Sequence, residues 1–280
     1  MTRVLVTGGS SVVGDYLLPR LAAAGHGCTV LSRAVRDEVG WRRVDVARER
    51  VWDASLEGTA ALIHLAPLTL MPRVLREAPA SLRCVVAIGT TSVYTKGDSR
   101  SAKDRELVRQ QRAAEQALTE FCATRGIIYT LFRPTLVYDG LRDKNIARIA
   151  RLIRAVGFFP VAAPGKGLRQ PLHADDLAAA CVAALGARAS HAYELGGGEV
   201  LSYRAMLERI FQALGRRPRV LPLPVSLYRA SIAAARILPR YRGLTPAVAD
   251  RMNQDMVFDS SAAMRDFGLK PRAFAPGVPA

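Results

Sequence analysis

Two short stretches of this 280-residue chain carry residue types that could do chemistry. The first is Thr7-Gly8-Gly9-Ser10-Ser11-Val12-Val13-Gly14, a glycine turn directly after the apolar run Val4-Leu5-Val6. Glycines at 8, 9 and 14 let backbone pass close to a ligand, and the first N–H groups of a following helix point at whatever sits there. A pyrophosphate suits that place, because free N–H groups and the positive end of a helix dipole both favour an anion. The expected contacts are Gly8, Gly9, Ser10, Ser11, Val12, Val13 and Gly14. A three-glycine fingerprint would put its middle glycine at position 11, where this chain has Ser11, so a plain turn that binds nothing is the competing reading. The second stretch is Gly89-Thr90-Thr91-Ser92-Val93-Tyr94, which sets three hydroxyls and a phenol after the apolar run Cys84-Val85-Val86-Ala87-Ile88.

The elements that must position these stretches alternate between strand and helix. Val4 to Val6 reads as a buried parallel strand, and Tyr16, Leu17, Leu18, Leu21 and Ala22 as one side of a helix stopped by Gly25. Further strands are expected over 28–31, 41–44, 60–66, 84–88 and 127–132, with a long helix over 104–124 capped by Gly126. Ligands of open α/β sheets bind outside the carboxyl ends of the strands, where both stretches fall. Ser32-Arg33 ends the second strand, at the place where an acidic residue would accept from an adenosine 2′-hydroxyl. An arginine there suits a 2′-phosphate and favours NADP over NAD; an Arg33 that only faces solvent is the alternative.

Beyond Arg133-Pro134 the alternation loosens. Helices are expected over 145–156, from Asp175 to Leu185, over 202–214 and over 226–238, with a loop over 157–167, a strand over 192–195 and a loose proline-rich tail. The chain thus reads as an α/β fold, a Rossmann-type doubly wound parallel sheet over 1–140. A smaller C-terminal α/β lobe over 141–280 interleaves with the end of the core and does not fold on its own.

Composition bounds the function. Half of the residues are hydrophobic, enough for a large core; there is no apolar run of roughly 18 residues and no leader-like start, so a cytoplasmic protein is expected. Cys28, Cys84, Cys122 and Cys181 stand apart with no C-x-x-C pair, which suits reduced core thiols and predicts no metal. The net charge is +16, and all but five of the 40 basic residues are arginine. The excess is densest between 201 and 245, where nine arginines face Glu208 alone. Such a lobe would draw a phosphorylated or nucleotide-linked small molecule, a membrane surface or a protein complex, or is only a solvated basic face. No nucleic-acid motif with interleaved aromatics accompanies it, which argues against nucleic acid.

The motifs Thr7-Gly8-Gly9 with Gly14, Asp45-Val46, His64-Leu65-Ala66, Val93-Tyr94, Arg133-Pro134-Thr135-Leu136-Val137-Tyr138 and His173-Ala174-Asp175-Asp176 occur in an order that resembles one family. The chain is similar, over nearly its whole length, to the extended short-chain dehydrogenase/reductases of the NAD-dependent epimerase/dehydratase group. The resemblance implies a nicotinamide dinucleotide in the glycine turn, with Asp45 and Val46 at its adenine and Leu65, Ala66, Pro67, Gly89, Pro134 and Val137 along the rest. It implies a substrate-orienting hydroxyl at Thr90 and substrate-facing Arg133, Arg169 and His173, with surface salt bridges as the alternative for the two arginines.

The family's catalytic pair is a tyrosine and, four residues on, a lysine whose charge depresses the tyrosine pKa, followed after four more by a glutamate. Glu115 matches the glutamate, which leaves Leu107 and Gln111 in the places of the pair. Neither transfers a proton or carries the charge. Two functions follow from the resemblance: an NADP-dependent oxidoreductase or epimerase-like enzyme with a substituted acid, for which Tyr94, Tyr138 and Lys96 are candidates, or a catalytically weak cofactor-binding protein. The second is like the atypical members, among which Arg133 to Asp176 most resembles the accessory subunit of respiratory complex I. RNA binding, as in some plant relatives of the fold, is a third and weaker reading.

Overall fold

In the computed structural model, which describes residues 2–34, 36–99, 101–235, 237 and 248–278, the opening apolar run becomes β1 (Arg3–Thr7) and the turn after it leads into α1 (Val12–Ala23). β2 (Gly27–Ser32), β3 (Trp41–Arg43) and β4 (Ala61–His64) follow, then α2 (Met71–Arg76), β5 (Cys84–Ile88), α3 (Ser92–Thr95), α4 (Ala102–Arg125) and β6 (Ile128–Pro134). Next come β7 (Val137–Tyr138), α5 (Ile146–Val156), β8 (Phe159–Ala162), β9 (Leu168–Arg169), β10 (Leu172–His173), α6 (Ala174–Ala183) and β11 (His191–Leu195). β12 (Leu201–Ser202), α7 (Tyr203–Ala213), β13 (Val220–Leu223), α8 (Val225–Ala235), α9 (Val248–Arg251) and α10 (Ser261–Phe267) complete the order.

Seven strands pair in parallel in the order β11-β6-β5-β4-β1-β2-β3. Successive strand residues point to opposite faces, and both faces are covered, which is why β1 is apolar at every interior position. Val4 and Val6 join a core with Leu17 and Leu21 of α1 and Leu177 and Cys181 of α6. Leu5 faces the other way, into a core with Val74 of α2 and Leu118 and Cys122 of α4. The chain runs outward in one direction from β1 through β2 and β3 and in the other through β4, β5 and β6, so the crevice at the carboxyl end of β1 is the topological switch point of the sheet.

The C-terminal lobe has its own core, formed by Ile146 and Ile153 of α5, Leu207 and Phe211 of α7, Tyr228 of α8 and Met252. The remaining sequence returns to the main sheet: β11 pairs with β6, and Ala263 and Phe267 of α10 pack on the core beside α6.

Three expectations change. The loop expected over 157–167 contains β8, paired in parallel with β13. Pro160 and Pro222 hid both strands; a proline lacks only the ladder N–H, which a two-stranded ribbon tolerates at its free edges. The tail is packed rather than loose up to residue 278, with Phe274 and Val278 buried in the C-terminal lobe core. Its backbone lies against Gly140, where a Cβ would meet Gly277 and Pro276, and Arg272 donates to Asp175 and Asp176. The helix expected over 226–238 is observed as Val225–Ala235, and positions 236 and 238 lie outside the described residues. Among the described residues no helix is long and apolar enough to cross a membrane.

Candidate functional site

The glycine turn is shaped by contacts that exclude any side chain. Gly8 adopts φ +75°, and a Cβ on it would lie 2.5 Å from the Ala66 amide nitrogen. A Cβ on Gly14 would lie 2.6 Å from the Gly9 carbonyl carbon and nearer still to its oxygen. Ser11, where the fingerprint has its middle glycine, is the N-cap of α1 and accepts from Gly14 N at 3.2 Å. The N–H groups of Gly9, Ser10, Val12 and Val13 have no protein partner among the described residues. Behind the turn, Thr7 and His64 face each other across β1 and β4, with Thr7 Oγ1 2.7 Å from His64 Nδ1. The second ring nitrogen of His64 lies 3.2 Å from Pro67 O, which fixes the Leu65-Ala66-Pro67 segment against Gly8. Burial pushes the wholly buried His64 down to about 4, so its ring is neutral at neutral pH.

At the end of β2, buried Ser32 donates to Ser10 Oγ at 2.7 Å and accepts from Ala34 N, tying the strand end to the turn. Arg33 is exposed and has no ion pair among the described residues. Arg36 lies 4.6 Å over the Trp41 ring and 2.8 Å from Asp15, a first-turn residue of α1 that Arg142 also contacts. Sequence reading passed over Arg36, Trp41 and Arg142; an arginine three residues after Arg33 was the available signal. Asp45 accepts from Ala47 N in a local turn, while Val46 is buried in the core.

The carboxyl end of β5 holds a charged cluster. Arg133 on β6 makes a forked pair with Glu115 of α4, at 2.7 Å from Nη2 and 3.1 and 3.2 Å from Nε. Its other nitrogen donates to Tyr94 Oη at 2.9 Å and reaches Glu194 at 3.3 Å. Glu194 is the residue paired with Arg133 in the β6–β11 register, and it accepts the Tyr94 phenol proton at 2.5 Å. Burial and this hydrogen bond push Tyr94 up to about 12, opposite to the depression that a proton-transferring phenol needs. Thr90 accepts from Ser92 N at 3.1 Å and keeps its own proton to donate, while Thr91 donates to Pro134 O.

Leu107 is 38% exposed. Gln111 lies one turn before Glu115 on the same side of α4, and Glu115 Oε1 is 3.2 Å from where a Cβ on Gly89 would stand. The Gln111 Oε1 is buried and has no hydrogen-bond partner among the described residues. Of the other residues named from the sequence, Val137 gives its carbonyl to Asn145. Arg169 is buried and donates to the carbonyls of Leu168, Gln254 and Arg251, with its guanidinium 5.1 Å over the Tyr203 ring. His173 N-caps α6 through an Nδ1 that accepts from Asp175 N at 3.1 Å, with its ring edge-on to Tyr16 and Tyr138. Burial and Arg272 hold His173 below the ordinary imidazole value, consistent with that acceptor role. Tyr138 is wholly buried and accepts from Ala275 N.

Beside the Tyr94 cluster a cavity of about 550 Å³ opens between the chain after β5 and the C-terminal lobe, lined by Tyr94, Lys96 and Asp98 on one side and Arg229, Arg251 and Gln254 on the other. Arg251 is paired with Asp104 at 3.1 Å and Arg229 with Asp250. Lys96 has no ion pair among the described residues, and burial and the Arg251 charge hold its ammonium below the usual range. The four cysteines are free, Cys122 and Cys181 within the core.

Comparison with known proteins agrees with this architecture. The chain is 30% identical over 130 residues to the mitochondrial NADH dehydrogenase [ubiquinone] 1 alpha subcomplex subunit 9 of Arabidopsis thaliana; the match covers 45% of this chain and 31% of that protein, so the chain spans about a third of that relative. It is 24% identical to the uncharacterized protein y4nG of Sinorhizobium fredii, over 96% of this chain and 74% of the relative. Among solved structures, MoeE5 in complex with UDP-glucuronic acid and NAD superposes with a TM-score of 0.74 at 19% identity, over 97% of this chain and 94% of that one. The human epimerase family protein SDR39U1 with NADPH gives 0.68 at 18%, over 99% and 97%. The model of the NAD dependent epimerase/dehydratase family matches residues 47–196, more than half of the chain, and the protein belongs to that family.

Proposed function

We propose that the protein binds a nicotinamide dinucleotide, NADP in preference to NAD, and holds it beside a reaction centre whose tyrosine–lysine pair is absent. The observation that carries this reading is the row of free N–H groups at Gly9, Ser10, Val12 and Val13, held at the switch point by glycines that tolerate no side chain. The residues present fit the group. The turn would take the pyrophosphate, unpaired Arg33 the 2′-phosphate, and Leu65-Ala66-Pro67 the face opposite β2. The orphaned Gln111 Oε1 calls for a donor that none of the described residues supplies, and a ribose hydroxyl is one. A bound dinucleotide supplies hydride exchange. The chain's own groups orient and exclude: Thr90 keeps a hydroxyl proton to offer a substrate oxygen, while Arg133 and Glu194 hold the Tyr94 proton in place.

The test is a titration with NADPH and NADH followed by fluorescence, repeated with Arg33→Asp. The unmodified protein binds NADPH more tightly, and the substitution removes that preference; an unchanged preference defeats the assignment to Arg33. SDR39U1 with NADPH and MoeE5 with NAD show that structures of this fold accommodate either cofactor, so the fold alone does not decide.

One observation favours a second reading, in which a reaction is retained. The cavity beside Tyr94 is polar and open, and Lys96 faces it half-buried with its ammonium held below the usual range. Under this reading Lys96 carries the proton, and the protein is an oxidoreductase or epimerase-like enzyme. Lys96→Met would then abolish turnover of NADPH by carbonyl compounds, whereas no turnover in the unmodified protein returns the reading to cofactor holding.

A further inference from the structure

α8 is anchored on one side only. It buries Tyr228 in the C-terminal lobe and turns Arg229 to Asp250, leaving Leu227, Ala230 and Ala234 exposed on the opposite face. Ile237, in the turn just past α8, is 80% exposed. The ribbon that leads into α8 extends the same character. Phe159 and Val220 pair inward and are buried, whereas Phe158 and Leu221 are exposed. A solvated helix normally turns charge to water, and this face carries none, so it is built to be covered.

In sequence, arginines flank this segment on both sides. Arg217 and Arg219, just before β13, are exposed and have no ion pair among the described residues. In sequence, Arg236, Arg240 and Arg242 follow α8 directly, with no acidic residue between Glu208 and Asp250. A second copy of a chain with net charge +16 is repelled by so basic a segment, and a nucleic acid has no use for its exposed leucine and isoleucine. An apolar face in a segment flanked by arginines is complementary to a bilayer of anionic phospholipid, where the hydrocarbon boundary takes the apolar side chains and the headgroups take the guanidinium groups.

We propose that the exposed face of α8, with Phe158 and Leu221, docks the protein on an anionic phospholipid membrane. The contact lies in the interface, since no described helix is long and apolar enough to cross. It is independent of the dinucleotide reading, because none of these residues belongs to the glycine turn or the Arg133 cluster.

The experiment is sedimentation of the full chain with phosphatidylcholine vesicles, with and without phosphatidylglycerol. The protein pellets with the phosphatidylglycerol vesicles at low salt, is released as salt rises, and stays soluble with phosphatidylcholine alone. Arg219→Glu reduces partitioning at least about fivefold, on the order of one surface cation's contribution. Leu227→Glu with Ile237→Glu abolishes it while thermal unfolding by circular dichroism stays near that of the unmodified chain. Leu227→Trp serves as a second readout that does not rely on a loss: its fluorescence is quenched by brominated acyl chains. No pelleting on anionic vesicles, pelleting that ignores both glutamate substitutions, absence of quenching, or capture of the face by self-association in gel filtration each overturns the proposal.

Discussion

Breaking the Arg133–Glu115 pair should destabilise the fold, because each partner is largely removed from water. Their side chains are 17% and 11% exposed, and the guanidinium meets the carboxylate in a fork. Removing one partner of a fully buried pair costs about 3–5 kcal/mol, most of it from the charge left behind. Here Arg133 keeps Glu194 and the Tyr94 oxygen and is not fully buried, so Glu115→Ala should cost about 2–3 kcal/mol. Replacing both partners by apolar residues of similar volume, Glu115→Leu with Arg133→Met, should return to within about 1 kcal/mol of the unmodified protein. The assay is urea unfolding of Glu115→Ala and of Glu115→Leu and Arg133→Met, singly and together. For a chain of this size a slope of roughly 3 kcal/mol/M makes the Glu115→Ala shift just under about 1 M in midpoint. If the double variant loses as much as the two singles summed, the two residues are uncoupled and the pair does not hold these elements together.

Two further outcomes follow from the geometry of the turn. Gly14→Ala forces the turn away from α1 and should weaken NADPH binding at least about tenfold, or 1.4 kcal/mol, in isothermal titration; Gly186→Ala, which meets nothing within 4 Å, is the control, and equal affinities would refute the close-packing account. His64 is wholly buried and held down to about 4 from its ordinary 6.5, so it contributes stability above pH 6.5 that is lost as pH falls from 6.5 towards 4. At about 1.4 kcal/mol per unit, urea unfolding at pH 5 should show roughly 2 kcal/mol less stability than at pH 7 from this residue. His64→Asn should lack that component, and an equal drop in the variant would show that other groups cause it.

The glycine turn and its βα setting were legible in the sequence because their determinants are local. An apolar strand, glycines at fixed spacing and a helix start lie within twenty residues, and each is a statement about backbone that a one-dimensional pattern preserves. Ser11 departs from the three-glycine pattern, and only the fold shows its use as the N-cap of α1. The end of β5 was readable only in part. Thr90 and Glu115 could be placed through the family resemblance, whereas the partner of the Tyr94 phenol comes from β11, one hundred positions away, through the register that sets Glu194 beside Arg133. Arg169 shows the same limit from the other side: its type and place suit a phosphate, while its donors are taken by backbone carbonyls of the segment folded over it. β8 and β13 stayed hidden because prolines within both strands argue against strand by local rules.

The residues where the resembled family has its catalytic pair are consistent with one another. A buried Glu115 that lost the lysine one turn away would be an uncompensated charge beside the end of β5, which is costly in a low-dielectric site. Arg133 meets that charge from the neighbouring strand, and its remaining nitrogen joins Glu194 in holding the Tyr94 phenol. The same arrangement that balances the charge therefore locks the nearest phenol in its protonated form, at about 12. Neutral Gln111 leaves an acceptor free where the lysine would have been a donor. Charge balance, a locked phenol and a free acceptor thus arise from one set of contacts, and under the proposed function they favour a hydroxyl-bearing ligand there and leave Lys96, which faces the adjoining cavity, as the amine for any proton transfer.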